Sequence, residues 1–206
     1  MNEVFGLFPI PFMRARATLP APLVERLVRK FQTRANRPND SSAQLTHTEM
    51  LKPEDDPLLT EAAELILPRV AEFGVHLLGE KLEWLLKEMW VNVLDTGARQ
   101  AMHNHANSFV SCVVYLTPTH AGSQTVFMKS PGGTEFTFKN DHAGVVRGQF
   151  NADKWISPAP DTGDMVLFPS YLMHAVPPNQ GKRRITLAVN AIPTKLDSWG
   201  YLVRLA

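Results

Sequence analysis

The sequence predicts a mainly β protein with α-helices: a double-stranded β-helix (jelly roll, cupin-like) barrel buttressed by N-terminal helices. Three observations carry that reading. Apolar residues recur at helical spacing only before Gly79. After it the period moves towards two, with turn signals every ~8–12 residues and eight short candidate strands. The length of 206 residues suits one domain, and a closed antiparallel architecture absorbs it whole. Residues 1–206 therefore read as a single domain: an N-terminal strand and helical buttress over 1–86, a jelly-roll core over 87–193, and a C-terminal tail over 194–206.

The elements follow in chain order. Residues 4–13 read as an N-terminal strand; Pro9 and Pro11 break the apolar run, Glu3 precedes it and Arg14 and Arg16 follow it, which is the wrong order of charges for a secretory signal. Leu23, Leu27, Val28 and Phe31 fall on one face of a helix over 20–35, entered through Leu19-Pro20. Residues 36–42, with Pro38 and two serines, read as a loop. A second helix spans 57–78, with Leu58, Ala62, Leu65, Ile66, Val70, Phe73 and Leu77 on its apolar side and Pro68 bending or dividing it. The candidate strands are 88–94, 108–117, 125–128, 135–138, 155–157, 165–168, 174–176 and 184–191. Residues 140–154 read as a long surface loop, with a lid carrying His142 as the alternative.

Composition excludes several functions. Lys and Arg number 21 against 20 Asp and Glu, a net charge of +1, so there is no global field to hold nucleic acid or an anionic membrane. No apolar run is long enough to span a bilayer. Cys112 is the only cysteine, which rules out an internal disulfide framework and a Cys-based metal cluster and points to a reducing, cytoplasmic setting. A metal site must then use His and carboxylates.

His103, Asn104 and His105 supply that chemistry. Residues two apart on an extended segment point the same way, so both imidazoles can face one ion. The plain alternative is a pair of surface-loop histidines. His174, in the segment Leu167-Phe168-Pro169-Ser170-Tyr171-Leu172-Met173-His174, offers a third imidazole that a jelly roll can bring to the same mouth. Imidazole ligands suit Fe, Zn, Cu and Ni alike. On the last strand, alternation sets Arg184, Thr186, Ala188 and Asn190 against Ile185, Leu187, Val189 and Ala191. The second face is core; the first is a polar stripe whose guanidinium and hydroxyl form a clamp for a carboxylate, unless Arg184 is merely an edge charge beside Lys182 and Arg183. Glu88, Trp90 and Asn92 alternate with Met89, Val91 and Val93 in the same manner, and Ser111, Val113 and Tyr115 share a face. Asn92 and Tyr115 can orient a bound acid or serve as satisfied core groups.

These residues together resemble the 2-oxoglutarate- and iron(II)-dependent oxygenases, and within them a bacterial and phage group of unassigned substrate. The matching features are Phe8-Pro9-Ile10-Pro11, Trp90-Val91-Asn92, His103-Asn104-His105 leading to Ser111 and Tyr115, Phe168-Pro169-Ser170 before His174, Val176-Pro177-Pro178-Asn179, and Arg184-Ile185-Thr186 ending in Asn190. That superfamily holds iron with a His-x-Asp/Glu pair plus a distal His, and holds the keto acid with a basic residue on the following strand. His103, His174 and Arg184 occupy those places.

His105 stands where the carboxylate is expected. It either ligates the metal in its place, leaves a coordination position open, or cedes that position to another acid such as Asp95 or Asp141; direct ligation is the preferred reading. The resemblance implies Fe(II) and 2-oxoglutarate as cofactor and cosubstrate, O₂ as co-reactant, and a small-molecule or peptide substrate. The metal would be held by His103, His105 and His174 and the keto acid by Arg184, Thr186, Tyr115 and Asn92, with no catalytic side chain beyond the metal ligands. Two other readings stand beside it: a cupin-type three-His dioxygenase that needs no keto acid, and a non-catalytic barrel that binds metal and organic acid. Apolar helix residues not used internally offer a face for a homodimer.

Overall fold

The chain becomes regular at Met13. In the computed structural model, which describes residues 2–33, 37–39, 42–129 and 142–205, residues 2–12 form no strand, and the first strand is β1 (Met13–Ala15). The expected strand over 4–13 is thus corrected: Pro9 and Pro11 have no N–H to donate to a ladder, and Val4, Phe5, Leu7 and Phe8 stay exposed.

Helix α1 (Ala21–Phe31) follows Pro20 and buries Leu23, Val24, Leu27 and Phe31. Where a loop over 36–42 was expected, β2 (Arg37–Asn39) and β3 (Ser42–His47) form a hairpin. A partner distant in sequence, β4 (Trp84–Leu94), gives β3 its conformation by pairing Leu45 with Leu94 and His47 with Asn92. Helix α2 (Pro57–Leu78) starts where the Asp56 carboxylate accepts the Leu58 N–H at 2.9 Å, and ends at Gly79, whose φ of 73° needs no Cβ. Pro68 sits inside α2 without dividing it, since Ile66 and Val70 on either side are packed in one core.

The remaining strands are β5 (Gln100–His103), β6 (Val110–Tyr115), β7 (Val126–Met128), β8 (Lys154–Ile156), β9 (Met165–Pro169), β10 (His174–Val176), β11 (Arg184–Pro193), β12 (Lys195–Ser198) and β13 (Tyr201–Arg204). The expected strand 135–138 lies outside the described residues. A seven-stranded sheet runs β1-β9-β6-β11-β4-β3-β2, and a four-stranded sheet β5-β10-β7-β8. This is the two-sheet, mainly β architecture with helices that the sequence predicts. The expected C-terminal tail contains the hairpin β12–β13 instead. Its two turn residues, Trp199 and Gly200, have φ of 57° and 81°, the geometry of a tight primed turn.

Alternation divides the large sheet. Met89, Val91, Val93, Cys112, Val114, Ile185, Leu187 and Val189 pack with α1 and α2 in the main core. The opposite face meets the small sheet, where Tyr115, Phe127, Val166, Phe168 and Leu172 form a second cluster. Trp84 closes the helix side: its indole lies against Gly74 of α2, so close that a Cβ at Gly74 would overlap the ring. Gly74→Ala should destabilise the fold by about 1–3 kcal/mol through overpacking. Urea unfolding checks this, and an unchanged midpoint would mean that the indole has room to move.

Candidate metal and acid-binding site

Antiparallel partners share a face, so the registers of β4, β11 and β6 order the inner wall into rows. One row is Glu88–Asn190–Ser111, the next Trp90–Ala188–Val113, the next Asn92–Thr186–Tyr115 with His47 of β3 opposite Asn92, and the last Leu94–Arg184. Arg184 and Asn190 are six residues apart on one strand, about 20 Å at ~3.3 Å per residue. The wall therefore has a basic end and an acidic end. Ala188, the smallest side chain in the middle rows, leaves space between them.

The small sheet brings the histidines over this wall. His174 on β10 pairs with His103 at the end of β5, and His105 follows two residues on. Their candidate ligand atoms all lie within 4.8 Å of one another, close enough to share one ion, and their ring centroids are 4.3–5.1 Å apart. The Nδ1–H of His103 donates to the Ala101 carbonyl at 2.8 Å, and that of His174 to the Leu172 carbonyl at 2.9 Å. A carbonyl can only accept, so Nδ1 carries a proton in both rings, and in the neutral imidazole Nε2 is the atom left for a ligand. His105 packs against Trp90, with centroids 5.5 Å apart, and its backbone N–H donates to the Ser170 carbonyl at 3.0 Å. Burial first, and then the proximity of the His103 imidazole, pushes the His105 pKa down to about 4 and that of His174 to about 3. Both rings are therefore neutral, the form that binds a metal.

No carboxylate joins this group among the described residues. Asp95, one of the acids considered, is bound at the sheet edge by Arg183, with Nε to Oδ1 at 2.6 Å; Asp141 lies outside the described residues. His142 accepts the Gly144 N–H at 3.2 Å in an exposed turn and does not line the cavity.

Arg183 and Arg184 are neighbours with opposite fates. Arg183 is half-exposed and ion-paired. Arg184 is 3% exposed, its Nε donates to Thr119 Oγ1 at 3.3 Å, and its guanidinium lies over the Tyr115 ring at 5.2 Å. Tyr115 in turn contacts Thr125 Oγ1 at 3.3 Å. No carboxylate of the described residues pairs with Arg184, and burial lowers its pKa. A buried guanidinium cannot discharge, so this arrangement calls for an anion.

Arg184, Thr186, Asn92 and the three histidines line one cavity of about 260 Å³, and Tyr115 borders it through Arg184. Sequence reasoning missed His47, Thr119 and Thr125. His47 follows from the β3–β4 register, which only the fold reveals. Thr125 had a legible signal, since it lies two residues before Phe127, on the same side of the extended segment that pairs with His174.

Residues 88–190 match the family described as "Putative 2OG-Fe(II) oxygenase". Among solved structures, an oxidoreductase of the 2OG-Fe(II) oxygenase family from Burkholderia pseudomallei is similar over 87% of this chain and 84% of that one, at 15% identity and a TM-score of 0.62. HygX from Streptomyces hygroscopicus, solved with nickel and 2-oxoglutarate bound, is similar over 92% and 87%, at 13% identity and a TM-score of 0.64. A Pseudomonas putida prolyl-4-hydroxylase is similar over 89% and 93%, at 18% identity and a TM-score of 0.57. At these identities the likeness is one of fold. No curated protein matches in sequence.

Burial of neutral imidazoles makes the metal-free protein acid-sensitive. An unfolded chain takes up these protons near pH 6.5, whereas the native His105 and His174 resist to about 4 and about 3. The unfolded state thus binds more protons below pH 6.5, and stability must fall with pH from there, by at most ~1.4 kcal/mol per pH unit for each histidine. Urea unfolding of chelator-treated protein between pH 7 and pH 5 measures the slope. His174→Gln should flatten it, and a flat profile in the unmodified chain would contradict the burial of these rings.

Proposed function

The chain belongs to the family of 2OG-Fe(II) oxygenases, whose members use iron(II) and 2-oxoglutarate, and from that premise we propose which residues hold each and what the site does. His103, His105 and His174 would hold the iron. The donor set fits: three imidazoles converge within 4.8 Å, and two have Nδ1 bound to a backbone carbonyl, which leaves Nε2 to the metal. Bound there, the metal and keto acid supply the activation of O₂ that oxidises a substrate, with hydroxylation as the outcome and release of succinate and CO₂.

The observation that carries this reading is the buried Arg184, without a carboxylate partner among the described residues, in the same cavity as the three imidazoles. Thr119 engages its Nε and Tyr115 also bonds the side chain, so the guanidinium is held in place to grip the distal carboxylate as a fork. Tyr115 fixes the guanidinium plane from below, while Thr186 and Asn92, opposite one another in register, flank the path from Arg184 towards the histidines. Three neutral ligands leave the centre one unit more positive than a set with a carboxylate, which favours a dianionic keto acid. Phe168 and Phe127, with centroids 4.8 and 6.0 Å from His174, keep that side of the centre dry.

The substrate in this reading is a small molecule or peptide entering past His47 and Trp90, and no nucleic acid or membrane is involved. Among the described residues no helix is long and apolar enough to cross a membrane. The lone, buried Cys112 supports a cytoplasmic location. Residues 1–206 act as one domain, and the exposed Leu65, Leu67 and Val75 of α2 offer the surface for a second copy.

Anaerobic calorimetry tests the assignment. 2-Oxoglutarate should bind the iron(II)-loaded protein, bind poorly without metal, and lose at least ~30-fold in affinity in Arg184→Ala, since truncating one partner of a buried charge pair costs about 2 kcal/mol or more. No binding to folded, iron-loaded protein would overturn it and favour a three-His dioxygenase in which Arg184 holds the substrate's own carboxylate.

A further inference from the structure

Four polar side chains beside the site take no part in holding metal or keto acid. Glu88, Asn190 and Ser111 form one row across β4, β11 and β6, and Ser170 follows β9. Asn190, Ser111 and Ser170 are each no more than 2% exposed, in a wall whose other face is Val, Leu, Ile and Ala. Burying polar groups there is unfavourable unless each is satisfied, and here each is.

The hydrogen bonds also have a direction. Asn190 Nδ2 donates to Glu88 Oε2 at 2.8 Å, so its Oδ1 faces Ser111 and accepts that hydroxyl at 2.8 Å. Ser111 has a single proton, already committed, so its 2.9 Å contact with Ser170 is a bond donated by Ser170. Every donor thus points towards Glu88, and the chain ends on a carboxylate. At the other end Ser170 clamps the loop that carries His105. Its carbonyl accepts the His105 N–H at 3.0 Å, and its own N–H donates to the Phe109 carbonyl at 3.0 Å. Trp90, next to Glu88 on the same face of β4, packs on the His105 ring. The other Glu88 oxygen meets Lys87 Nζ at 3.0 Å at the surface.

We propose that Glu88 is a positioning residue for the three-histidine centre: through Asn190, Ser111 and Ser170 it anchors the His105 loop, and its carboxylate supplies near His105 the negative charge that the ligand set itself lacks. The inference rests on the reading that His103, His105 and His174 hold a metal. Glu88 does not touch the ion; it reaches the His105 loop through the hydrogen-bond chain, and its neighbour on the same face of β4, Trp90, packs on the His105 ring. The centre then has an anion at each end, the bound keto acid towards Arg184 and Glu88 at the far end of the wall.

Titration of Co(II) into metal-free protein, followed by its visible absorption and by thermal unfolding of the metal-free form, tests this without turnover. Glu88→Gln keeps an acceptor for Asn190 and removes the charge. It should leave the metal-free melting temperature near that of the parent, weaken Co(II) binding by about tenfold, at the low end of the loss typical for residues supporting metal ligands, and shift the absorption bands. Glu88→Asp should restore part of the affinity. Ser170→Ala, which cuts the chain at its other end and keeps the charge, should shift the bands as well, and it carries the test if Glu88→Gln does not fold. Parent-like affinity and spectrum in both variants would overturn the proposal while leaving the metal site intact. Absence of Co(II) binding to the parent chain would overturn the metal assignment and this inference with it.

Discussion

Strand β11 is buried over 184–191, and a strand covered on both faces must sort its side chains by period two. Ile185, Leu187, Val189 and Ala191 go to the helices; Arg184, Thr186, Ala188 and Asn190 go to the second sheet. Because β4 and β6 are held to it in register, the same division is imposed on them, and a one-residue slip would put the guanidinium into the helix-side core. The apolar core and the candidate site are two sides of one ladder. Stability and function are coupled in it: Leu187 cannot face α2 unless Thr186 faces the cavity.

Electrostatics organises the inner side. The wall carries Arg184, which has no carboxylate partner among the described residues, and Glu88, held by Asn190, and it lies under His105 and His174, which burial keeps neutral. None of these is the arrangement that stability alone would favour, since a buried cation is unfavourable without an anion and buried imidazoles become liabilities on acidification. They make sense together when a divalent cation and a dianionic acid complete the charge pattern. The neighbouring pair Arg183–Asp95 is the contrast, a surface ion pair that is complete in itself.

Legibility in the sequence depended on whether a feature was local. The extent of helix α2 was readable because its signals, the spacing of Ile66, Val70 and Phe73 and the change of period after Gly79, are local to the element. The β2–β3 hairpin was not, because Pro38 and the serines gave residues 36–42 the look of a loop, and 42–47 pair with β4, a segment distant in the chain. The C-terminal hairpin escaped for a local reason: Trp199 occupies a left-handed turn position that the composition of ordinary turns does not suggest. Within the site, His103-Asn104-His105 and the polar stripe of β11 were visible as periodicities. Thr119 was not, since it reaches Arg184 from a loop.

The sequence by itself determined which residues alternate, which imidazoles could converge, and that Arg184 and Thr186 share a face, because these follow from bond geometry over a few residues. Only the tertiary structure decided that Arg184 is buried, with no carboxylate partner among the described residues, while Arg183 is paired with Asp95. It likewise decided that Asp95 pairs with Arg183 and does not join the histidine group, that His47 joins the cavity, and that Glu88 is tied through three side chains to the His105 loop. Each of these depends on contacts between segments roughly 40 to 100 residues apart in the chain, whose register is set by the packing of the whole sheet rather than by any local preference.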